Sequence, residues 1–270
     1  MASKAELIDV FYDTLSYVDG NLTLRKASAE SRDKTEIYMA ADWPEITNKR
    51  AKAGNVRLLQ SRTFEAAIAL RNKRPHNKIA VLNFASATDP GGGVKSGSRA
   101  QEESLCRCST LYPSLSQPKT LDKYYTFHID RHNSLYTDAC IYSPDIVICK
   151  TDTDYPQRLD EKDFVKVDVI TCAAPNLRKT AIDSSDYVNL MSSRIKHIFH
   201  IAHVHDIDTL VLGAFGCGAF KNNPFLVAGC FKSMIEKHGK DFEDIVFAIY
   251  DAPSSTSNYK AFKTVFGFNV

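Results

Sequence analysis

A short apolar strand that runs straight into three consecutive glycines, with two adjacent glutamates soon after, limits this chain to folds that lay backbone bare at a strand end. The stretch is Leu82 to Leu111, LNFASATDPGGGVKSGSRAQEESLCRCSTL. Ile79 to Ala85 reads as a buried strand, and Asp89-Pro90-Gly91-Gly92-Gly93 then breaks regular structure with strong turn-formers. Glycines in series hold no side chain between backbone and ligand, so their N–H groups can approach a phosphate or ribose and take positive φ without steric cost. From Glu102 the sequence EESLCRCSTLY has helical character. Glu102 and Glu103 then sit in a first turn, where the helix dipole favours carboxylates. A glutamate that works as an acid there needs its pKa raised by burial or a neighbouring charge. Each piece alone has an ordinary explanation, a flexible loop and a solvated helix start. In this order they suit a nucleotide-diphosphate site with acid chemistry beside it.

The 270 residues, 44% apolar and 24% charged, are enough for one large domain with a substantial core. Thirty-four Lys plus Arg against 32 Asp plus Glu leave a formal charge of +2, which argues against direct nucleic-acid binding by counterion release. A phosphorylated ligand held by backbone N–H groups stays compatible with that charge. The N-terminus, MASKAELIDVFYDTL, carries acidic residues inside its apolar stretch and does not read as a secretory signal. No segment approaches the length of a membrane span. Seven scattered cysteines without repeated C-x-x-C spacing read as reduced thiols of a cytoplasmic protein. Cys106 and Cys108 form a C-x-C pair that could ligate zinc, but no second pair lies at metal-ligand spacing, so zinc has weak support and no metal site is assigned.

The first 55 residues are polar and charged, with helical patches at Lys4 to Leu15 and Ala40 to Lys52, and are expected to form a helical extension on a main body of residues 56–270. Val56 to Leu59 reads as the first strand of that body, with Thr63 as cap of the helix FEAAIALRNK before Pro75 stops it. Residues 112–134 mix polarity and turn-formers and read as a long loop. Thr137 to Tyr142 and Ile146 to Cys149 look like two strands around a Ser143-Pro144-Asp145 turn. Strands at Val167 to Ala173, Thr209 to Phe215 and Ile245 to Tyr250 alternate with helices at Ser184 to Ala202, Pro224 to His238 and Tyr259 to Val265, the pattern of an α/β sandwich.

The strand from Thr209 enters a second glycine loop, Gly213-x-x-Gly216-x-Gly218, whose spacing is not the Rossmann G-x-G-x-x-G. A loop between a strand end and a helix start lies where α/β proteins usually bind ligands, though it could also be a plain tight turn. Tyr250, at the end of the last strand, could stack on a base or simply end the strand with its hydroxyl in water. His197, His200, His203 and His205 do not share one helical face and form no H-E-x-x-H pattern, so they read as an exposed helix end. No serine or cysteine hydrolase motif is present.

The order GGG, seven residues, then QEE resembles the signature of the poly(ADP-ribose) glycohydrolases of the macrodomain superfamily, in their compact bacterial-type branch. The resemblance runs from about Val56 through Leu135-Tyr136-Thr137-Asp138, Ile141 to Asp145, Ala173-Ala174-Pro175-Asn176 and Gly213 to Asn222. It implies a macrodomain-like three-layer α/β/α sandwich with a mixed central sheet and an N-terminal helical extension. It implies a hydrolase that cleaves the ribose–ribose O-glycosidic bonds of poly(ADP-ribose), acting on ADP-ribose polymers on modified proteins, with no metal or other cofactor. By the same resemblance Glu103 is the general acid and base, Glu102 fixes the adjoining ribose and Gln101 positions the pair. Asn83 and Ser86 line the strand end, and Gly91, Gly92, Gly93 and Val94 face ribose and phosphate. Gly216, Cys217, Gly218, Ala219 and Phe220 clamp the diphosphate, Phe220 packs on the terminal ribose, and Tyr250 stacks on adenine. Removal of single ADP-ribose units, or non-catalytic binding of ADP-ribose, are the alternatives on the same fold.

Overall fold

In each central strand, alternate side chains enter two different cores, and this period of two builds the layers. The computed structural model describes residues 2–40, 54–178, 180–251 and 257–268. Its strands are β1 (Glu36–Tyr38), β2 (Asn55–Leu59), β3 (Ile79–Phe84), β4 (Cys140–Ile148), β5 (Val165–Cys172), β6 (Thr209–Leu212) and β7 (Asp244–Ala248). They form one sheet in the order β1-β4-β5-β3-β6-β7-β2. β4 runs antiparallel to β1 and β5, and the remaining neighbours are parallel, so the sheet is mixed.

The helices are α1 (Lys4–Gly20), α2 (Leu22–Lys34), α3 (Thr63–Lys73), α4 (Gln101–Cys108), α5 (Leu111–Leu115), α6 (Pro118–Thr120), α7 (Phe127–Asp130), α8 (Ser184–Val204), α9 (Pro224–His238) and α10 (Ser257–Phe266). Ala80, Leu82, Leu210, Leu212, Ile245 and Phe247 pack with Ile195, Phe199, Phe231 and Phe262 of α8, α9 and α10. Ile79, Val81, Val211 and Val246 point the other way, into Phe64, Ala67, Leu105 and Leu111 of α3, α4 and α5. The three-layer sandwich follows.

The described part of the N-terminal stretch holds more structure than its polar composition suggests. α1 extends past the expected Leu15, opened by a capping box between Ser3 and Glu6, and α2 and the edge strand β1 follow it. The expected helix at Ala40 to Lys52 lies outside the described residues apart from Ala40 itself. Phe11 enters the core beside Phe64 and Tyr112. Buried Lys150 reaches Asp13 at 2.7 Å and the Val10 carbonyl at 3.0 Å, tying α1 to the segment after β4. Asp13→Asn is expected to lower unfolding free energy by about 1–3 kcal/mol, because a buried cation loses its partner; urea denaturation measures it. Arg158, then Lys150, hold the Asp13 carboxyl below the usual carboxylate range. The contribution is therefore complete above about pH 4 and lost as pH falls through the lowered folded value.

Four further expectations give way. Residues 112–134 are largely helical, through α5, α6, a π-helical turn at Leu121–Thr126 and α7. The two strands around Pro144 are one strand, β4, whose pairing shifts between Ser143 and Ile146; Asp145 takes φ +54° and its N–H donates to Asp168 at 2.9 Å. Thr63 is the first helical residue rather than the cap: Glu65 accepts from the Arg62 N–H at 2.9 Å, and Thr63 Oγ1 accepts from Gln101. The histidine group is not an exposed helix end either. His197 and His200 are buried, His197 against the Asp138 carbonyl, and His205, just past α8, stacks on Tyr142 of β4 with ring centres 3.5 Å apart.

Candidate active site

The C-terminal ends of the parallel strands open on a cavity of about 310 Å³. It is walled by Phe84 to Ser86 at the end of β3, Ser61 to Thr63 after β2, and Ala248 to Tyr250 at the end of β7. Ala214, Gly216 and Gly218 to Phe220 follow β6, and Arg99 to Ser104 enter from the start of α4. Crevices beyond the carboxyl ends of strands are where open α/β sheets hold ligands. Ten of the fifteen expected residues lie on this wall.

Gln101 fixes α4 to the sheet. Its Oε1 accepts the Phe84 N–H at 2.9 Å, and its Nε2 donates to Leu82 O at 2.7 Å and Thr63 Oγ1 at 3.0 Å, so the side chain continues the strand's own bonding. That anchor aims the next two residues. Glu102, only 3% exposed, accepts from the Ser86 N–H at 2.7 Å and Asn83 Nδ2 at 3.3 Å. Glu103, 6% exposed, accepts the Gly93 N–H at Oε1 at 2.8 Å. Its buried Oε2 meets no hydrogen-bond partner among the described residues.

Burial raises the Glu102 pKa well above the usual carboxylate range and the Glu103 charge adds to it, against the Ser86, Asn83 and Gly91 donors that favour the anion. A raised folded value means that folding keeps a proton which the unfolded chain releases, so stability falls as pH rises above about 4. Glu102→Gln removes that penalty while leaving an acceptor for Ser86. Its Tm should equal the parent's in acid and exceed it by about 2–4 °C at neutral pH, the shift that ~1 kcal/mol gives in a chain of this size; calorimetry across pH reads it.

The triple glycine has a part different from the phosphate cradle expected of it. Gly92 N–H donates to Asp89 O at 2.9 Å, Val94 N–H to Gly91 O at 3.1 Å, and Gly93 N–H is spent on Glu103. Gly91, Gly93 and Val94 do not line the cavity, and Val94 is fully buried. A Cβ at Gly92, whose φ is +56°, would stand 2.6 Å from Glu103 Oε1 and 3.0 Å from Glu102 Oε2. The loop is a socket for the two carboxylates. Asn83 also stands behind the wall, as a support for Glu102.

In the second loop the backbone is open. The N–H groups of Gly216, Gly218, Ala219 and Phe220 meet no backbone acceptor among the described residues. Buried Asn222 sets the loop's shape, donating to Gly216 O at 3.0 Å and Pro175 O at 2.8 Å and accepting from Tyr187 at 2.9 Å. A Cβ at Gly216, with φ +73°, would come within 2.4 Å of Ala174 Cβ. Cys217 does not reach the cavity, and burial pushes its thiol up to about 12, so it is not a nucleophile at neutral pH. Phe220 lines the wall and is backed by Tyr136 at 6.0 Å between ring centres.

Tyr250 closes the far end, 49% exposed, with the Arg62 guanidinium 4.1 Å from its ring centre. Arg62, Arg99 and Asp152 are wall residues that sequence reasoning did not single out. Only their position just after a strand or just before α4 could have marked them. No group of three or more His, Cys, Asp or Glu among the described residues could hold a metal ion.

No helix among the described residues is long and apolar enough to cross a membrane. Curated protein sequences give no significant match to this chain. The profile of the microbial-type PARG catalytic domain, PARG being poly(ADP-ribose) glycohydrolase, matches residues 9–151. The poly(ADP-ribose) glycohydrolase of Thermomonospora curvata is similar at 27% identity and TM-score 0.84, over 96% of this chain and 99% of that one. The same protein bound to the inhibitor ADP-HPD superposes with TM-score 0.82, at 27% identity over 96% of this chain and 98% of that one. The Deinococcus radiodurans glycohydrolase in complex with ADP-ribose is 32% identical, with TM-score 0.77 over 89% of this chain and 97% of that one. With the profile covering more than half of its length and these structures nearly all of its fold, the chain belongs to the microbial-type poly(ADP-ribose) glycohydrolase family.

Proposed function

We propose that this chain hydrolyses the ribose–ribose O-glycosidic bonds of poly(ADP-ribose) and releases ADP-ribose, with Glu103 as general acid and then general base. The observation that carries the reading is Glu103 itself: one oxygen is fixed by Gly93 and the other, buried in the cavity wall, has no partner among the described residues. Protonated Glu103 gives its proton to the leaving 2′-oxygen as the bond to the anomeric carbon breaks, leaving an oxocarbenium-like centre. Water adds to that carbon and returns a proton to the Glu103 carboxylate. Glu102, held by Ser86 and Asn83, fixes the adjoining ribose through its hydroxyls, and Gln101 aims both.

The open N–H groups of Gly216 and Gly218 to Phe220 take the diphosphate, Phe220 packs on the terminal ribose, and Tyr250 stacks on adenine. The ADP-ribose held by the Deinococcus relative supports the same product here. The physiological substrate is polymer on modified proteins, and the formal charge of +2 supports a role without direct nucleic-acid binding. Seven free thiols support action in the cytoplasm. Residues 2–40 brace the remainder of the catalytic part through Phe11 and the Asp13–Lys150 pair.

The test is release of ADP-ribose from an automodified poly(ADP-ribose) polymerase, with a mono-modified substrate in parallel. Release from the polymer is expected. Release only from the mono-modified substrate would make the chain a hydrolase of single units, and tight ADP-ribose binding without release would make it a reader.

A further inference from the structure

Ser104 follows Glu103 on α4, and its hydroxyl donates to Asp152 Oδ1 at 2.7 Å. Asp152 is buried, and its Oδ2 accepts the Phe64 N–H at 3.1 Å, at the start of α3. Arg62 Nη1 stands 3.9 Å from the same carboxylate, Arg62 also pairs with Asp154, and its guanidinium lies over the Tyr250 ring. Ser104, Asp152, Arg62 and Tyr250 thus form an unbroken line along one cavity wall, from the helix of the paired carboxylates to the aromatic at the far end. Its successive contacts join residues 48, 90 and 188 apart in sequence.

A surface arginine pairs with a carboxylate for little net gain and would not need a buried one. Here a buried carboxylate is retained, and the arginine it helps to hold does not close on it bidentately. The planar guanidinium is applied to a ring face instead. That face is then occupied, and a base can stack only on the opposite one. A cation behind the ring also draws electron density from the face left open, which favours stacking of a purine.

Resting on the glycohydrolase reading, we propose that Arg62 is a specificity-determining residue for the base of ADP-ribose: it backs Tyr250 so that one face presents to the purine. Asp152 is a positioning residue that sets Arg62 against α4. The distance between the base platform and the carboxylate pair is therefore fixed by side chains, and loss of the platform is felt in substrate binding.

The test is a double-mutant cycle on the full chain, with Arg62→Ala, Tyr250→Ala and both together, reading the Kd for ADP-ribose by calorimetry and KM and kcat on polymer. Arg62→Ala is expected to weaken ADP-ribose binding about fivefold, with the larger share of the kinetic loss in KM. The double variant should be no weaker than Tyr250→Ala alone. Arg62→Lys, which keeps charge but not the planar group, should recover less than half of the loss. Binding of ribose 5-phosphate, which has no base, should not respond to any of these changes. Multiplying effects in the double variant, or a full rescue by lysine, would overturn the proposal in favour of a direct charge contact with phosphate. Should Arg62→Ala melt well below the parent, Arg62→Lys and Asp152→Asn carry the cycle. Failure of the unmodified protein to bind ADP-ribose would sink the glycohydrolase reading itself, an outcome distinct from normal binding that ignores Arg62.

Discussion

Glu103→Gln is expected to slow ADP-ribose release from polymer by roughly 10²- to 10⁴-fold, the range a positioned general acid contributes, while leaving the Kd for ADP-ribose within a few-fold of the parent. Glutamine is nearly isosteric, and its carbonyl oxygen can still accept the Gly93 N–H that Glu103 accepts at 2.8 Å. The socket therefore survives, and what is lost is the transferable proton. Single-turnover release of ADP-ribose and calorimetric titration, run on the same preparation, separate the two effects. A variant that keeps more than a tenth of the parent rate would move the acid elsewhere. The other carboxylates on the described wall are Glu102 and Asp152, and Asp152 is already committed to Ser104 and Phe64.

Glu102 and Glu103 stand beside each other for a reason that chain order alone suggests and the packing completes. Adjacent residues on a helix point about 100° apart, so the two carboxylates need a concave partner to converge on one substrate. Gly92 is that partner, since an added Cβ there would touch both. Their donors come from Gly93, Ser86 and Asn83, all on the strand-and-loop unit that precedes α4. Acid, support and socket thus belong to one continuous stretch of sequence.

This continuity is why the site was legible early, and the places where legibility failed share the opposite property. β3, β5, β6 and β7 are short apolar runs buried on both faces, and each could be placed to within three residues. The segment 112–134 could not, because consecutive Tyr124 and Tyr125 are both buried in a π-helical turn, which destroys the 3.6-residue period. Pro144 and Asp145 look like a turn locally, yet Asp168, on the neighbouring strand, accepts the Asp145 N–H and keeps β4 in the sheet through the irregularity. Arg62 and Asp152 sit in unremarkable polar stretches, and only the fold brings them together with Tyr250. The triple glycine reads from sequence as bared backbone for a phosphate. Nothing in its sequence tells that its donors and its free space would be spent on carboxylates.

Gly92→Ala follows from that last point, and it is expected to lower release of ADP-ribose by roughly 10²-fold, the scale of a misplacement near 1 Å in a catalytic group, with a fall in Tm of about 2–4 °C. Two effects add. At φ +56° an L-residue is strained wherever it points. The new methyl would also lie 2.6 Å from Glu103 Oε1 and 3.0 Å from Glu102 Oε2, so both carboxylates must move. Glu102, being buried, has little room to do so without leaving Ser86. Gly229→Ala in α9, where a Cβ meets nothing within 4 Å, is the matched control and should hold or slightly raise Tm. Activity assays and thermal melts on the pair distinguish the socket from a merely strained loop. Strain alone would lower Tm and spare the rate, whereas displaced carboxylates lower the rate even at temperatures where the variant is fully folded.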